Sequence, residues 1–345
     1  MTNGGAVTEV PAGLEGVVVA HTAISDVDGT AGRLTYRGRD IEEVVGGFAW
    51  EDLVPWLAGE RATALHGPAA RDIDGPMAAM VRVVLDEGRD VNSDDWQDAY
   101  AFIRRVPPAV ASALVGARRS DGDEDGLTIA GRYLARLTGR RPTALEAAAL
   151  NAYWVMAAEH SLNASTFAVR IAASTGAGLP LALAAGVAVL AGPLHGGAPT
   201  DVLDLLDEAR RHPDDLAAWI DAKLDRRERL PGFGHRVYRA LDPRARALKT
   251  WYAQLARERE AVAFAARVEE TVLRALRARH PERVLATNVE YYAGVVLDAL
   301  GIPRVWCPPT FACARLAGWT AHYYEQRRQN RLIRPLARYD PDPAP

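Results

Sequence analysis

The chain predicts a mainly α protein with a small β-hairpin near its N-terminus, and three observations carry that prediction. Long stretches place apolar residues at helical spacing between cap residues such as Thr143, Gly176, Asp242 and Asn288. Strands do not alternate with helices, and neither a Gly-x-Gly-x-x-Gly run nor a Walker loop occurs, which argues against a nucleotide-binding sheet. The segment from Pro180 to Leu190 is almost wholly Ala, Val and Leu, so a helix there has no polar side and belongs in a core or a subunit interface. With 345 residues, 49% of them hydrophobic, the chain has material for a large core and about two domains.

In chain order, Gly16–His21 and Arg33–Arg37 read as short strands, with Asp26-Val27-Asp28-Gly29 between them as a turn. From Asp40 the pattern is helical, interrupted by loops at 61–75 and 116–126. Pro142 and Thr143 open a long apolar helix that runs to Glu159-His160. Further helices are predicted over Ala164–Thr175, Pro180–Leu190, Pro199–Arg210, Asp214–Arg227, Asp242–Arg257, Ala261–Arg279, Asn288–Leu300 and Phe311–Gln329.

Composition excludes several classes. The formal net charge is −3, which gives no electrostatic footprint for nucleic acid or an anionic membrane surface. Lys223 and Lys249 are the sole lysines beside 39 arginines, so arginine abundance by itself marks no anion site. Cys307 and Cys313 make no disulfide framework or paired metal motif, and a reducing cytoplasm suits them. The sequence shows no signal peptide and no apolar span of membrane length. His-Glu-x-x-His and paired Cys/His spacings are absent, so no metal or other cofactor is expected.

Five stretches could carry chemistry. In Gly192-Pro193-Leu194-His195-Gly196-Gly197-Ala198-Pro199 the glycines admit close backbone and ligand approach, and Pro199 suits a helix start. His195 would then stand at a helix N-terminus, which favours the neutral imidazole, a donor to an oxygen gaining charge. The simpler alternative is a turn histidine bonded to local backbone. In Leu230-Pro231-Gly232-Phe233-Gly234-His235, glycines expose N–H groups beside a second histidine. Asp242-Pro243-Arg244-Ala245-Arg246 follows and puts two arginines in a first helical turn, suited to a carboxylate or phosphate, or merely tolerated at the surface. Glu159-His160 ends an apolar helix before an Asn/Ser cap, and Glu290 follows the cap residue Asn288; capping alone would account for both. Arg315 shares a helix face with Phe311, Gly318 and His322, and if buried it needs an anion, either a structural carboxylate or a substrate.

Together these stretches resemble the citrate synthases of the shorter prokaryotic type, which includes 2-methylcitrate synthases. The resemblance begins at Gly13-Leu14-Glu15-Gly16-Val17-Val18, continues through Ile24 to Gly29 and Tyr36 to Ile41, and resumes at Glu159-His160. From there it follows the His195 turn, the Gly232 to Arg239 run with Asp242 to Arg246, Asn288-Val289-Glu290, Phe311 to Gln326, and Arg331 to Pro335; residues 55–140 match poorly. It implies an almost all-α homodimer, with a large domain from 1–197 and 294–345 and a small domain, 198–293, that closes over substrate. The apolar 180–190 helix would suit the dimer interface.

The implied reaction is a Claisen-type condensation of acetyl-CoA, a co-substrate, with oxaloacetate. Glu290 would be the base, His195 the donor to the enolate oxygen, and His235 the group polarising the ketone. His160, Arg244 and Arg315 would hold carboxylates, with Arg334 reaching the neighbouring subunit's site. Leu230, Pro231, Gly232, Phe233, Gly234 and Arg239 would receive CoA, with Arg246 a weaker candidate for a CoA phosphate. The family's usual base is aspartate, so Glu290 is a departure: its extra methylene moves the carboxylate by about 1 Å, a displacement worth about 10²-fold in rate. A milder departure is Pro199-Thr200 where many relatives have Asn-Glu. The alternatives left open are 2-methylcitrate synthase acting on propionyl-CoA, and an acyl-CoA-binding homologue without catalysis.

Overall fold

The computed structural model describes residues 24–58, 75–116, 124–192, 195, 198–234, 243–281, 285–329 and 332–333. Its only sheet among these has three short antiparallel strands, β1 (Ser25–Asp28), β2 (Arg33–Tyr36) and β3 (Arg39–Asp40), in that order. Ser25 pairs with Tyr36 and Asp28 with Arg33. Asp26-Val27-Asp28 is therefore strand and not turn. The chain reverses just after it, where Asp28 Oδ1 accepts from the N–H groups of Thr30 and Ala31. The other expected strand, Gly16–His21, lies outside the described residues, as do most of the 61–75 and 116–126 loops.

Fourteen helices follow among the described residues: α1 (Ile41–Gly47), α2 (Trp50–Ala58), α3 (Pro76–Glu87), α4 (Trp96–Val115), α5 (Ile129–Thr138), α6 (Ala144–Ala157), α7 (Ala164–Ser174), α8 (Leu179–Leu190), α9 (Ala198–Ala209), α10 (Leu216–Asp225), α11 (Pro243–Glu258), α12 (Glu260–Arg279), α13 (Val289–Ala299) and α14 (Cys307–Gln329). Side-chain caps set several of the starts. Thr143 and Glu146 form a reciprocal capping box at α6, Asn163 caps α7 and Asn288 caps α13. Glu146 also takes a two-pronged pair from Arg140, at 2.7 and 2.6 Å, and a pair from Arg259 between α11 and α12. The Arg140 bond, ahead of the others, holds its carboxyl down to about 2.

α14 is the axis of the fold. Every residue from Ala312 to Tyr324 is buried, and α2, α6, α7 and α8 pack around it. α8 is buried along Leu179, Ala182, Leu183, Gly186, Val187 and Leu190, while Val189 is exposed. Helices α9, α11, α12 and α13 pack on one another, with α10 on α12, and α11 also leans on α1 and α6.

The closest approach in this core is at Gly318. An added Cβ would lie 2.3 Å from the Ala158 carbonyl oxygen and 2.5 Å from a Glu159 carboxylate oxygen. Gly318→Ala is therefore expected to destabilise the fold by about 1–3 kcal/mol through overpacking, read as a clear fall in thermal midpoint. An unchanged midpoint would contradict the packing described.

Candidate active site

The site is built around the turn between α6 and α7. Tyr36 anchors it: its hydroxyl donates to the Glu159 carbonyl, with the Met156 carbonyl 3.1 Å away, and accepts from the Glu159 N–H at 2.9 Å. Ser161 takes a left-handed φ of 52°, the cost of turning the chain sharply straight after His160. Asn163 closes the turn, accepting from the Thr166 N–H at 3.1 Å.

Glu159 is fully buried. Ser25 Oγ donates to its Oε1 at 2.9 Å, and His322 Nε2 faces its Oε2 at 3.2 Å. A guanidinium only donates, so Arg170 Nη1, 3.0 Å from His322 Nδ1, places the imidazole proton on Nε2; the contact with Glu159 Oε2 is one of proximity and charge, not a well-formed hydrogen bond. Arg170 is held in turn by Glu325 and Gln326. Burial pushes the Glu159 carboxyl up, but His322, Arg315 and Ser25 together outweigh it and hold the group below the ordinary carboxylate range. This is the anionic partner that the face of Phe311, Arg315, Gly318 and His322 required.

Arg315 is buried on α14. Its Nε donates to the Ala157 carbonyl at 2.8 Å, and its guanidinium lies over the Phe311 ring at 4.9 Å. Its Nη1 is buried without a hydrogen-bond partner among the described residues. Burial lowers its pKa and Glu159 opposes that. Burial first and Cys307 second push the Tyr153 hydroxyl up, and the charges of Arg315, Glu290 and Arg244 also act on it, so each of the three lies within electrostatic reach of this buried hydroxyl. Arg244, in the first turn of α11, is buried. Glu290, in the first turn of α13, takes its backbone position from Asn288, and its Oε2 is buried with no hydrogen-bond partner among the described residues.

His195 joins through Ser165: its Nε2 is 2.9 Å from Ser165 Oγ, which itself lies 2.9 Å from Asn163 Oδ1. Asn163 Oδ1 only accepts, so Ser165 donates its one proton there and accepts from His195 Nε2–H; a proton on His195 Nδ1 requires the Ser165 hydroxyl to turn to Nε2 instead. His195 is kept neutral by burial first and by Arg315 second. The helix that follows begins at Ala198, one residue earlier than the Pro199 start expected from the sequence, and burial and Arg315 act beside any effect of its terminus.

The Leu230–Gly234 loop lies against the start of α13. Gly234 N–H donates to the Ala286 carbonyl at 2.8 Å and Asn288 N–H to the Gly232 carbonyl at 2.9 Å. Gly232 has φ 90°, and a Cβ there would meet the Tyr291 ring at 2.7 Å, so glycine is needed twice over. His160 is half-buried at the turn. Arg246 is exposed on α11 and pairs with Glu42 of α1. His235, Arg239 and Arg334 lie outside the described residues. Ser165, Ser25, Tyr36 and Tyr153 were missed by sequence reasoning. Ser165 stood in a stretch singled out for its caps, whereas no local pattern ties Tyr36 or Ser25 to a carboxylate more than a hundred residues away.

The described residues thus supply a carboxylate with an unpartnered oxygen, a neutral histidine and two buried arginines, groups able to move a proton and hold an anion. No group of His, Cys, Asp and Glu able to hold a metal occurs among the described residues. The family model "Citrate synthase, C-terminal domain" matches residues 13–66 and 60–336. The chain is 40% identical to "Putative citrate synthase 2" of Mycobacterium tuberculosis, over 95% of this chain and 92% of that one. It is 33% identical to the citrate synthase of Haloferax volcanii, over 96% of each. Among solved structures, citrate synthase from Pyrobaculum aerophilum superposes with a TM-score of 0.78 at 28% identity, covering 96% of this chain and 94% of that one. The ternary complex of carboxymethyl coenzyme A and oxaloacetate with the Thermoplasma acidophilum citrate synthase gives 0.73 at 26% identity, covering 96% of each. The chain belongs to the citrate synthase family, and with it to the transferases that convert an acyl group into an alkyl group on transfer.

Burial and Arg315 keep the His195 imidazole below its ordinary value of 6.5, so the side chain is neutral at pH 7 and protonates only at lower pH. Any stability linked to it is complete above pH 6.5 and is lost as pH falls. NMR titration is expected to place its midpoint below 6.5 and to move it upward in Arg315→Met. A wild-type midpoint at or above 6.5 would contradict this environment.

Proposed function

We propose that the chain condenses acetyl-CoA with oxaloacetate and hydrolyses the resulting thioester to citrate and free CoA. The observation that carries this reading is the buried Glu290 Oε2, without a hydrogen-bond partner among the described residues, at the start of a helix packed on α11, whose first turn carries the buried Arg244. Glu290 removes a proton from the thioester methyl, and the electron pair moves onto the thioester oxygen. His195 donates a hydrogen bond to that oxygen, which gains charge only as the proton leaves, so a fixed donor lowers the barrier. The carbanion carbon then bonds to the oxaloacetate ketone carbon. His235 supplies the proton that the ketone oxygen takes up, and water afterwards cleaves the thioester.

His160, Arg244 and Arg315 hold the oxaloacetate carboxylates, with the unpaired Arg315 nitrogen the natural point of contact. The Leu230–Gly234 backbone and Arg239 receive CoA. Arg246, exposed and paired with Glu42, is the weaker CoA contact. Residues 198–293 close as a small domain over the large one and exclude water until the carbon–carbon bond has formed. The enzyme is a homodimer in which Arg334 completes the neighbouring site, and it works in a reducing cytoplasm, where the buried, unpaired Cys307 and Cys313 stay as thiols. No metal or other cofactor takes part in the scheme.

The test is release of CoA thiol from purified protein with oxaloacetate, with acetyl-CoA and propionyl-CoA run side by side. Faster release from acetyl-CoA is expected. A propionyl preference would move the assignment toward the relative named 2-methylcitrate synthase, from Shewanella oneidensis, 29% identical to this chain. Release from neither would overturn the proposal. Glu290→Gln is expected to lower kcat by about 10²–10⁴-fold. Glu290→Asp should lower it by about 10²-fold, because the site is built around the longer side chain. Full activity in Glu290→Gln would remove Glu290 as the base.

A further inference from the structure

Glu290 needs to be held to within a fraction of an ångström, and its N–H is held at the helix start by the Asn288 cap. The residues around it show what else fixes it. On one side, Leu285 to Asn288 pairs with the CoA-receiving loop: Phe233 bridges Thr287, and Asn288 Nδ2 donates to the Gly234 carbonyl at 2.7 Å. On the other side stands Glu269, a buried carboxylate on α12 that the reaction itself does not use.

Glu269 Oε1 accepts from the Thr287 hydroxyl at 2.8 Å and from the Tyr292 hydroxyl. These donors lie three residues before and two residues after Glu290, so one oxygen grips both flanks of the residue. Lys249 of α11 lies 3.9 Å from the same oxygen. Tyr292 is wedged further by Tyr252 of α11, ring centroids 4.9 Å apart, and by Tyr291. A carboxylate this buried is costly without partners, and its hydroxyl donors are supplied by the segment that carries Glu290.

We propose that Glu269 is the positioning residue for Glu290, clamping the start of α13 between α12 and the CoA-receiving loop. The inference rests on the reading of Glu290 as the base. Glu269 does not touch substrate; it acts by restricting where the Glu290 carboxylate can lie, and so on proton removal more than on dicarboxylate binding.

Two variants test this. Thr287→Val with Tyr292→Phe removes both hydroxyl donors and keeps shape, whereas Glu269→Gln keeps the accepting oxygen and loses the charge. The double variant is expected to lose about tenfold or more in kcat with KM for oxaloacetate changed by no more than about twofold, and to exchange the amides of residues 285–292 faster. Glu269→Gln is expected to keep kcat within about threefold. An active wild type whose double variant keeps its kcat, or keeps its amide protection, overturns the inference and leaves the proposed reaction standing. A wild type that releases no thiol overturns both.

Discussion

A carboxylate sits at the centre of the protein with no access to water, and the rest of the site is arranged by the need to satisfy it. Glu159 is fully buried where α6 ends against α14. An isolated charge there would cost many kcal/mol, so Ser25, His322 and Arg315 must all be in place. Replacing such a cluster by apolar residues is often neutral for stability, whereas breaking it by removing one partner costs about 3–5 kcal/mol. The value of the cluster therefore lies in geometry. It fixes Arg315 on an otherwise buried helix and sets the turn from which His160 projects. Gly318 is the steric counterpart, since any side chain there would fall on Ala158 and Glu159.

Around that anchor the site is assembled from helix starts. Asn163 caps α7 and places Ser165 against His195. Asn288 caps α13 and places Glu290, and the first turn of α11 carries Arg244. A cap fixes the first turn of a helix by short, local hydrogen bonds, so side chains there are set more tightly than on a free loop. Burial lowers the pKa of Arg315 and the Glu159 charge opposes that, while Arg315 Nη1 has no hydrogen-bond partner among the described residues.

The local part of this was legible in the sequence. Thr143, Asn163 and Asn288 announced their helices because caps act within three residues. The face of Phe311, Arg315, Gly318 and His322 was readable from spacing, together with its demand for an anion. What spacing does not carry is which distant residue answers. Glu159 was read with the capping stretch, Tyr36 was read as part of a short strand, and Ser25 was placed in no element. The strand register was also misplaced: Asp26 and Asp28 have turn chemistry, yet pairing of Ser25 with Tyr36 overrides it by burying Ile24, Leu34 and Tyr36. For His195 the sequence offered only the helix terminus as a reason to be neutral; burial and Arg315 are further reasons that belong to tertiary packing, which local sequence does not show.

The most direct measurement of the central claim, that the open oxygen of Glu290 takes a carbon-bound proton, is isotope exchange without condensation. Acetyl-CoA would be incubated in deuterium oxide with the protein and malate, a dicarboxylate lacking the reactive ketone, and the methyl hydrogens followed by NMR. The account predicts washout with the wild type and none above background with Glu290→Gln. Equal washout with both proteins would contradict it.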